Sequence, residues 1–226
     1  PVPRLGGLAL FLGIFVPALA FLHFGRETRG LILGAAVAVT VGAIDDFRGL
    51  RWFEKLGGQV LAASIPVYFG VWVDRFTFPV VGIQSLPSWV GMPITVRWIV
   101  AIMNMFNFLD GLDGLAAGVA AIAGATFAVI ALSLDKPDAA VLSAIVFGAS
   151  LGFLRHNFYP ARIFMGDSGA LLLGYALAAV SVQGLLKAAA TVALLCPLLV
   201  LAVSIVDTTF VVARRLKHGQ RVFEGD

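Results

Sequence analysis

Charged residues are scarce in this chain of 226 residues. Asp, Glu, Lys and Arg together make up 13% of it, against roughly 25% in a typical soluble domain. Hydrophobic residues reach 60%, and the mean hydropathy is +0.96. This composition excludes an ordinary soluble domain and predicts an integral membrane protein, so the lipid bilayer is the first expected partner.

Cysteine and histidine are also rare. Cys196 is the single cysteine and lies inside an apolar run, which excludes a disulfide framework. His23, His156 and His218 are too far apart in the sequence to suggest a metal-binding cluster. The net charge of +3 suits a basic membrane face better than a groove for nucleic acid, so we expect no nucleic-acid partner.

Apolar runs alternate with short polar segments along the whole chain. They predict an all-α polytopic membrane protein with about eight transmembrane helices, and we interpret 1–226 as one domain. Residues 76–93 contain several turn-forming Pro and Gly residues and predict a small extracytoplasmic hairpin. The predicted spans are residues 5–24, 30–44, 56–73, 94–108, 115–134, 139–154, 168–183 and 188–212.

The positive charges are distributed unevenly between the two predicted sides of the membrane. Of the 16 Lys and Arg residues, ten fall on the side of the N-terminus and six on the other. The positive-inside rule places the side with ten in the cytoplasm. The polar motifs described below all fall on that side, so the sequence predicts one active site facing the cytoplasm.

A regular polar pattern occupies the middle of the chain. Asn104, Asn107, Asp110 and Asp113 recur at every third position between two apolar runs. On a helix each is displaced by about 60° from the last, so they would form a slanting polar stripe. Ionisable groups so close to a membrane core are costly and indicate a functional site. An Asp-Gly turn between two helices is the alternative, although a turn needs only one of the two Asp-Gly pairs.

A second acidic motif, Asp45-Asp46, ends the second predicted span. Adjacent carboxylates repel each other, so a pair at a membrane boundary suggests a bound cation or a phosphate–metal complex. The alternative is a solvated helix end that is balanced by Arg48 and Arg51.

A third motif, Gly166-Asp167-Ser168-Gly169, stands directly before a predicted span. The N-terminus of a helix there should offer free backbone N–H groups to an anion. Helix capping by Asp167 or Ser168 is the alternative, since both residue types are good caps.

Together, these motifs resemble the polyprenyl-phosphate N-acetylhexosamine-1-phosphate transferase family, over nearly the whole chain and in the family's order. That family includes the phospho-MurNAc-pentapeptide translocase and the enzymes that transfer GlcNAc-1-phosphate to undecaprenyl phosphate. Pro3-Arg4-Leu5-Gly6-Gly7, Asp207-Thr208 and Arg214-Arg215 resemble the GlcNAc-1-phosphate branch. We expect that the family's first helix, its His-rich loop and its last helix are missing from this chain.

The resemblance implies an enzyme of the bacterial cytoplasmic membrane that depends on Mg²⁺, with Mn²⁺ as an alternative. Its donor would be a UDP-N-acetylhexosamine and its acceptor polyprenyl (undecaprenyl) phosphate, with UMP released in the first membrane step of cell-envelope polysaccharide synthesis. A homodimer is also implied. Two alternatives are the pentapeptide translocase and, outside the enzymes, an ion-coupled transporter. Transporters usually bind near the midplane between repeats, whereas here the acids crowd one face and no repeat is visible.

The same resemblance implies roles for individual residues. Asp167 would be the metal ligand, while Asp45 and Asp46 would meet the lipid phosphate, one of them as its general base. Phe164 would stack on uracil, although a core aromatic is the alternative in a chain with 18 Phe. The expected site comprises the catalytic residues Asp45, Asp46, Asp110 and Asp113, the substrate-binding residues Asn104, Asn107, Gly111, Leu112, Asn157 and Phe164, and the metal ligand Asp167.

Overall fold

The computed structural model describes residues 6–78 and 82–185. In this part of the chain, seven α-helices, one two-stranded sheet and a final π-helical turn follow one another. The helices are α1 Gly6–Phe21, α2 Arg26–Arg48, α3 Trp52–Tyr68, α4 Ser88–Leu109, α5 Leu115–Ser133, α6 Pro137–Asn157 and α7 Gly166–Val180, with the π turn at Ser181–Leu185.

The apolar helices confirm the prediction of a helical membrane protein, but among the described residues fewer helices than predicted are long enough to cross a bilayer. Within the described residues, four helices are long and apolar enough to cross a bilayer, namely α2, α4, α5 and α6. Helices α1, α3 and α7 have 16, 17 and 15 residues, short of the ~20 of a typical span. The predicted span 56–73 is too long because α3 ends before Gly70, which has a φ of 107°. The predicted span 188–212 lies outside the described residues.

A β-hairpin joins α3 to α4, as the turn-forming residues predicted. Strands β1 (Arg75–Phe78) and β2 (Gly82–Ser85) pair antiparallel, with Arg75 opposite Ser85. The hairpin is shorter than the predicted 76–93 because α4 already begins at Ser88, directly after Pro87. The fixed φ of proline suits this position before the first turn of a helix.

Helix α7 lies at the centre of the bundle. All of its residues from Ser168 to Val180 are buried, and it packs against α1, α2, α4, α5 and α6. A helix that is apolar on every face is typical of such a buried position. Its one large polar side chain, Tyr175, donates a hydrogen bond to the backbone carbonyl of Leu31 at 3.1 Å, which satisfies the buried hydroxyl and joins α7 to α2.

Short connections make successive helices run in opposite directions. The C-terminal ends of α2, α4 and α6 therefore meet the N-terminal ends of α3, α5 and α7 at one end of the bundle. The hairpin follows the opposite end of α3 and so lies at the other end. The three polar motifs found in the sequence all fall at the first of these two ends.

Candidate functional site

Lys55 lies at the centre of the polar end of the bundle. Its Nζ is 2.7 Å from Asp45 Oδ2 and 3.0 Å from Asp167 Oδ2, and it donates to Asn107 Oδ1 at 3.0 Å. Asn107 Nδ2 in turn donates to Asp167 Oδ1. One ammonium group thus joins side chains from α2, α4 and α7, which are far apart in sequence.

Asp46 caps the N-terminus of α7. Its Oδ1 accepts the backbone N–H of Asp167 at 2.8 Å. Its Oδ2 accepts both the N–H and the hydroxyl of Ser168, at 3.0 and 2.8 Å. The sequence predicted that these N–H groups would be free for an anion, and the anion that binds them here is a carboxylate of α2. The alternative, capping by Asp167 or Ser168, does not hold. Neither residue is at the N-cap position of α7; Met165 is, and its side chain makes no capping hydrogen bond.

Asp110 faces the same helix end from α4. It directly follows the last residue of α4 and lies near the backbone of Gly166. Burial, followed by the charges of Asp167 and Asp46, raises the pKa of Asp110 to about 7. We call Asp45, Asp46, Lys55, Asn107, Asp110 and Asp167 the acidic cluster; it sets four carboxylates against one ammonium group.

Asp113 and Asn157 lie outside the acidic cluster and join two loops. Asn157 is 2% exposed; its Oδ1 accepts the N–H of Gly114 at 3.1 Å and its Nδ2 donates to the carbonyl of Ile163 at 2.9 Å. Asp113 Oδ2 accepts the N–H of Ala161 at 3.0 Å. These bonds hold the turn at 110–114 against the loop at 158–165. The expected role of Asn157 in substrate binding stays a prediction.

Replacing Asn157 by Ala is expected to lower the stability of the protein, because the N–H of Gly114 and the carbonyl of Ile163 would lose a buried partner. Each such loss costs about 1–3 kcal/mol. Thermal unfolding in detergent measures the effect, and His156→Ala is the matched control because its exposed neighbouring side chain makes no such bridge. Equal melting temperatures for the two variants would contradict this structural role.

The prediction that Asn104, Asn107, Asp110 and Asp113 form one polar stripe along a helix is wrong. Helix α4 ends at Leu109, so Asp110 caps it and Asp113 lies in the turn, where helical spacing no longer applies. Asn104 faces α3: its Nδ2 donates to Gln59 Oε1 at 2.7 Å, and its Oδ1 accepts from Gln59 Nε2 at 3.3 Å. Only Asn107 and Asp110 reach the acidic cluster, and the Asp-Gly turn that was the alternative is also present.

The remaining predicted residues lie beside the cluster. Gly111 is exposed and Leu112 is 68% exposed at the tip of the turn. Phe164 is half-buried, and its backbone carbonyl accepts the N–H of Gly6 at 3.1 Å. Contacts of these three residues with a nucleotide stay predictions.

Sequence reasoning missed Lys55 and Gln59. Both are polar residues in the first half of α3, four positions apart and therefore on one face of the helix. In the sequence, Lys55 is one of the ten Lys and Arg residues on the side predicted to face the cytoplasm. The signal was present, because Gln59 is a buried amide in an apolar run, 1% exposed, and such a group needs a partner.

The acidic cluster fits a divalent cation in its donor chemistry. Among the described residues, no group of three or more His, Cys, Asp or Glu side chains is arranged to hold a metal. Mg²⁺ does not need such a cage, since it usually binds one or two carboxylates and completes its shell with water and phosphate oxygens. Asp167 is 30% exposed and offers carboxylate oxygens of this kind beside Asp110.

Comparison with known proteins relates the chain to one group of enzymes. Residues 28–185 match the family described as Glycosyl transferase family 4. The chain is 40% identical over 227 residues to a probable undecaprenyl-phosphate N-acetylglucosaminyl 1-phosphate transferase of Bacillus subtilis, covering 100% of this chain and 63% of that protein. It is 38% identical over 256 residues to a decaprenyl-phosphate N-acetylglucosaminephosphotransferase of Mycobacterium tuberculosis, with the same coverage.

A second kind of relative matches less of the chain. A phospho-N-acetylmuramoyl-pentapeptide-transferase of Halalkalibacterium halodurans is 33% identical over 198 residues, covering 80% of this chain and 60% of that protein. The chain spans 63% of the length of the two N-acetylglucosamine-phosphate transferases named above. The resemblance inferred from the motifs is confirmed, including its preference for the GlcNAc-1-phosphate branch.

Proposed function

Because the chain belongs to glycosyl transferase family 4, we propose that it transfers an N-acetylhexosamine-1-phosphate from a UDP-sugar to polyprenyl phosphate. GlcNAc-1-phosphate is the proposed group, undecaprenyl phosphate the proposed acceptor, and UMP the product released. The observation that carries the proposal is the acidic cluster, in which four carboxylates meet at the N-terminus of α7 and two of them pair with Lys55. Two relatives that align with the whole chain are named for this kind of transfer, which supports the proposal.

The proposed reaction brings two anions together. An oxygen of the lipid phosphate attacks the β-phosphorus of the UDP-sugar, and the bond from that phosphorus to the bridging oxygen breaks, so UMP leaves with the electron pair. In such phosphoryl transfers, catalysis rests mainly on positioning and on neutralising charge. A cluster rich in carboxylates repels both substrates unless a cation intervenes.

We propose Asp167 as the residue that would hold Mg²⁺, with Mn²⁺ as a substitute and Asp110 as its neighbour. The metal would neutralise charge on the diphosphate. Lys55, bonded to both Asp45 and Asp167, keeps these two carboxylates at a fixed separation. Asp45 is the proposed acceptor of the lipid phosphate's proton, and the turn at 110–114 with Phe164 is the proposed nucleotide side of the site.

The proposal includes the membrane setting. The described helices are those of a membrane protein, and we propose that the acidic cluster faces the cytoplasm of the bacterial inner membrane, where UDP-sugars are made. The excess of Lys and Arg on this side supports that orientation. A single transferase domain and a homodimer are further parts of the proposal.

The second candidate is the transfer of phospho-MurNAc-pentapeptide, which the more distant relatives favour. We expect the full-length enzyme to release UMP faster from UDP-GlcNAc than from UDP-MurNAc-pentapeptide, at equal concentrations and with undecaprenyl phosphate present. Omitting the lipid phosphate is the control and should abolish release. Faster turnover of the peptide-bearing donor would favour the second candidate, and release from neither would contradict both.

A further inference from the structure

We propose that Asp46 is a positioning residue: its carboxylate caps α7 and thereby fixes the place of Asp167. The inference rests on the proposed function for the reaction that it serves. Its geometric part concerns only how two helices are joined, so it can fail or hold independently of that reaction.

Both carboxylate oxygens of Asp46 are already engaged. Oδ1 accepts from the N–H of Asp167 at 2.8 Å, and Oδ2 accepts from the N–H and the hydroxyl of Ser168 at 3.0 and 2.8 Å. A carboxylate that accepts three hydrogen bonds from one helix end ties its own helix firmly to that end. Such a group is an effective anchor.

The cap of α7 depends on Asp46. The first N–H groups of a helix have no partner within the helix. In α7, the N–H of Gly169 already bonds within the helix, to the carbonyl of Met165 at 3.3 Å. Asp46 accepts the N–H groups of the two residues before Gly169, namely Asp167 and Ser168. Its negative charge also lies at the positive end of the helix dipole, which adds to the stabilisation.

The backbones of α2 and α7 are in direct contact here, which explains how so short a side chain reaches the helix end. Gly42 lies one helical turn before Asp46 and on the same face of α2. A Cβ at Gly42 would be 2.4 Å from Ser168 Cα. Gly166 has a φ of 66°, and a Cβ there would be 2.7 Å from Asp46 Oδ1. Two glycines thus leave room for this one carboxylate.

Asp45 differs from its neighbour although the two residues are adjacent. Its Oδ1 accepts the N–H of Leu50 at 2.6 Å, and its Oδ2 pairs with Lys55 at 2.7 Å. Both of these bonds stay within α2, α3 and the loop between them. The two adjacent acids therefore differ in their roles: Asp45 pairs with Lys55, and Asp46 anchors the helix that carries Asp167.

The test compares Asp46→Ala and Asp46→Asn in the full-length protein. Asp45→Asn is the matched control for the hydrogen-exchange measurement described below. Asn keeps one oxygen that accepts N–H bonds and so preserves part of the cap, whereas its amide nitrogen only donates and cannot replace the second acceptor; it cannot act as a base. We expect Asp46→Asn to stay within about tenfold of wild-type turnover. Asp46→Ala should lose about a hundredfold, the effect of a 1 Å misplacement of a catalytic group.

Hydrogen exchange supplies the readout that is independent of catalysis. In Asp46→Ala, the amides of Asp167 and Ser168 should exchange faster, whereas in Asp45→Asn they should keep wild-type protection. Unchanged protection in Asp46→Ala would overturn the cap, and an Asn variant as inactive as the Ala variant would overturn the positioning role. If the wild-type protein releases no UMP, the proposed function fails, and the exchange experiment still decides whether Asp46 holds α7.

Discussion

Replacing Asp167 by Asn is expected to abolish turnover, with a loss of about 10³-fold or more, while the protein still folds and inserts into the membrane. The substitution leaves the backbone N–H of residue 167 in place, so its bond to Asp46 and the cap of α7 should survive. It removes the negative charge that a hard divalent cation with few protein ligands requires. A metal contributes several kcal/mol to charge neutralisation in such reactions, and each 1.36 kcal/mol corresponds to a factor of ten.

UDP affinity with and without Mg²⁺ checks this prediction, measured beside UMP release in the same detergent. The variant should bind UDP equally weakly in both conditions, whereas the wild-type protein should bind more tightly with Mg²⁺. Asp138→Asn is a suitable control, because Asp138 is exposed in the first turn of α6, at the other end of the bundle. An Asp167→Asn enzyme that turns over and still responds to Mg²⁺ would leave Asp110 as the next candidate for the ligand.

Much of the helical architecture could be predicted, because apolar runs report directly on burial in a membrane. The run 115–134 corresponds to α5 (Leu115–Ser133), and the run 139–154 corresponds to the greater part of α6 (Pro137–Asn157). Errors arose where an apolar run does not stop at the end of its helix. Residues after Tyr68 are apolar, yet the chain turns at Gly70, and hydropathy does not detect a change in backbone direction.

The candidate site could be predicted by residue type but not by pairing. Asp45, Asp46, Asp110 and Asp167 were all expected near the site on their motifs. Their separate tasks depend on partners far away in sequence, since Asp46 binds N–H groups more than a hundred positions later. Spacing along one helix carries no information on such contacts. For the same reason the helical spacing of Asn104 with Asn107 concealed that Asn104 pairs with Gln59 on α3.

These contacts suggest how the polar end of the bundle tolerates so many acids. Asp45 and Asp46 bind donors of the protein itself: backbone N–H groups for Asp46, and both a backbone N–H group and Lys55 for Asp45. Asp167 is held by Lys55 and Asn107. Lys55 is the one ammonium group shared by two of these acids within the described residues, so its loss would leave both of them without their counter-ion.

Lys55→Met is therefore expected to reduce turnover by about 10²–10³-fold, the cost of removing one preorganised charged group from an active site. Methionine fills a similar volume without charge, so Asp45 and Asp167 would face each other with no counter-ion between them. Removing one partner of a fully buried ion pair costs about 3–5 kcal/mol. Lys55 is 17% exposed, and its solvation should keep the loss of stability at or below that range.

The measurement is UMP release together with thermal unfolding, for Lys55→Met, Lys55→Arg and Lys136→Met. Lys55→Arg keeps the charge and should retain more activity than Lys55→Met, although its planar group changes the geometry. Lys136 is exposed at the other end of the bundle, directly before α6, so the same substitution there should alter neither activity nor stability. If Lys55→Met matched Lys136→Met in both measurements, the acids of the cluster would not need this ammonium group, and the ion pairs of Lys55 would be incidental to the site.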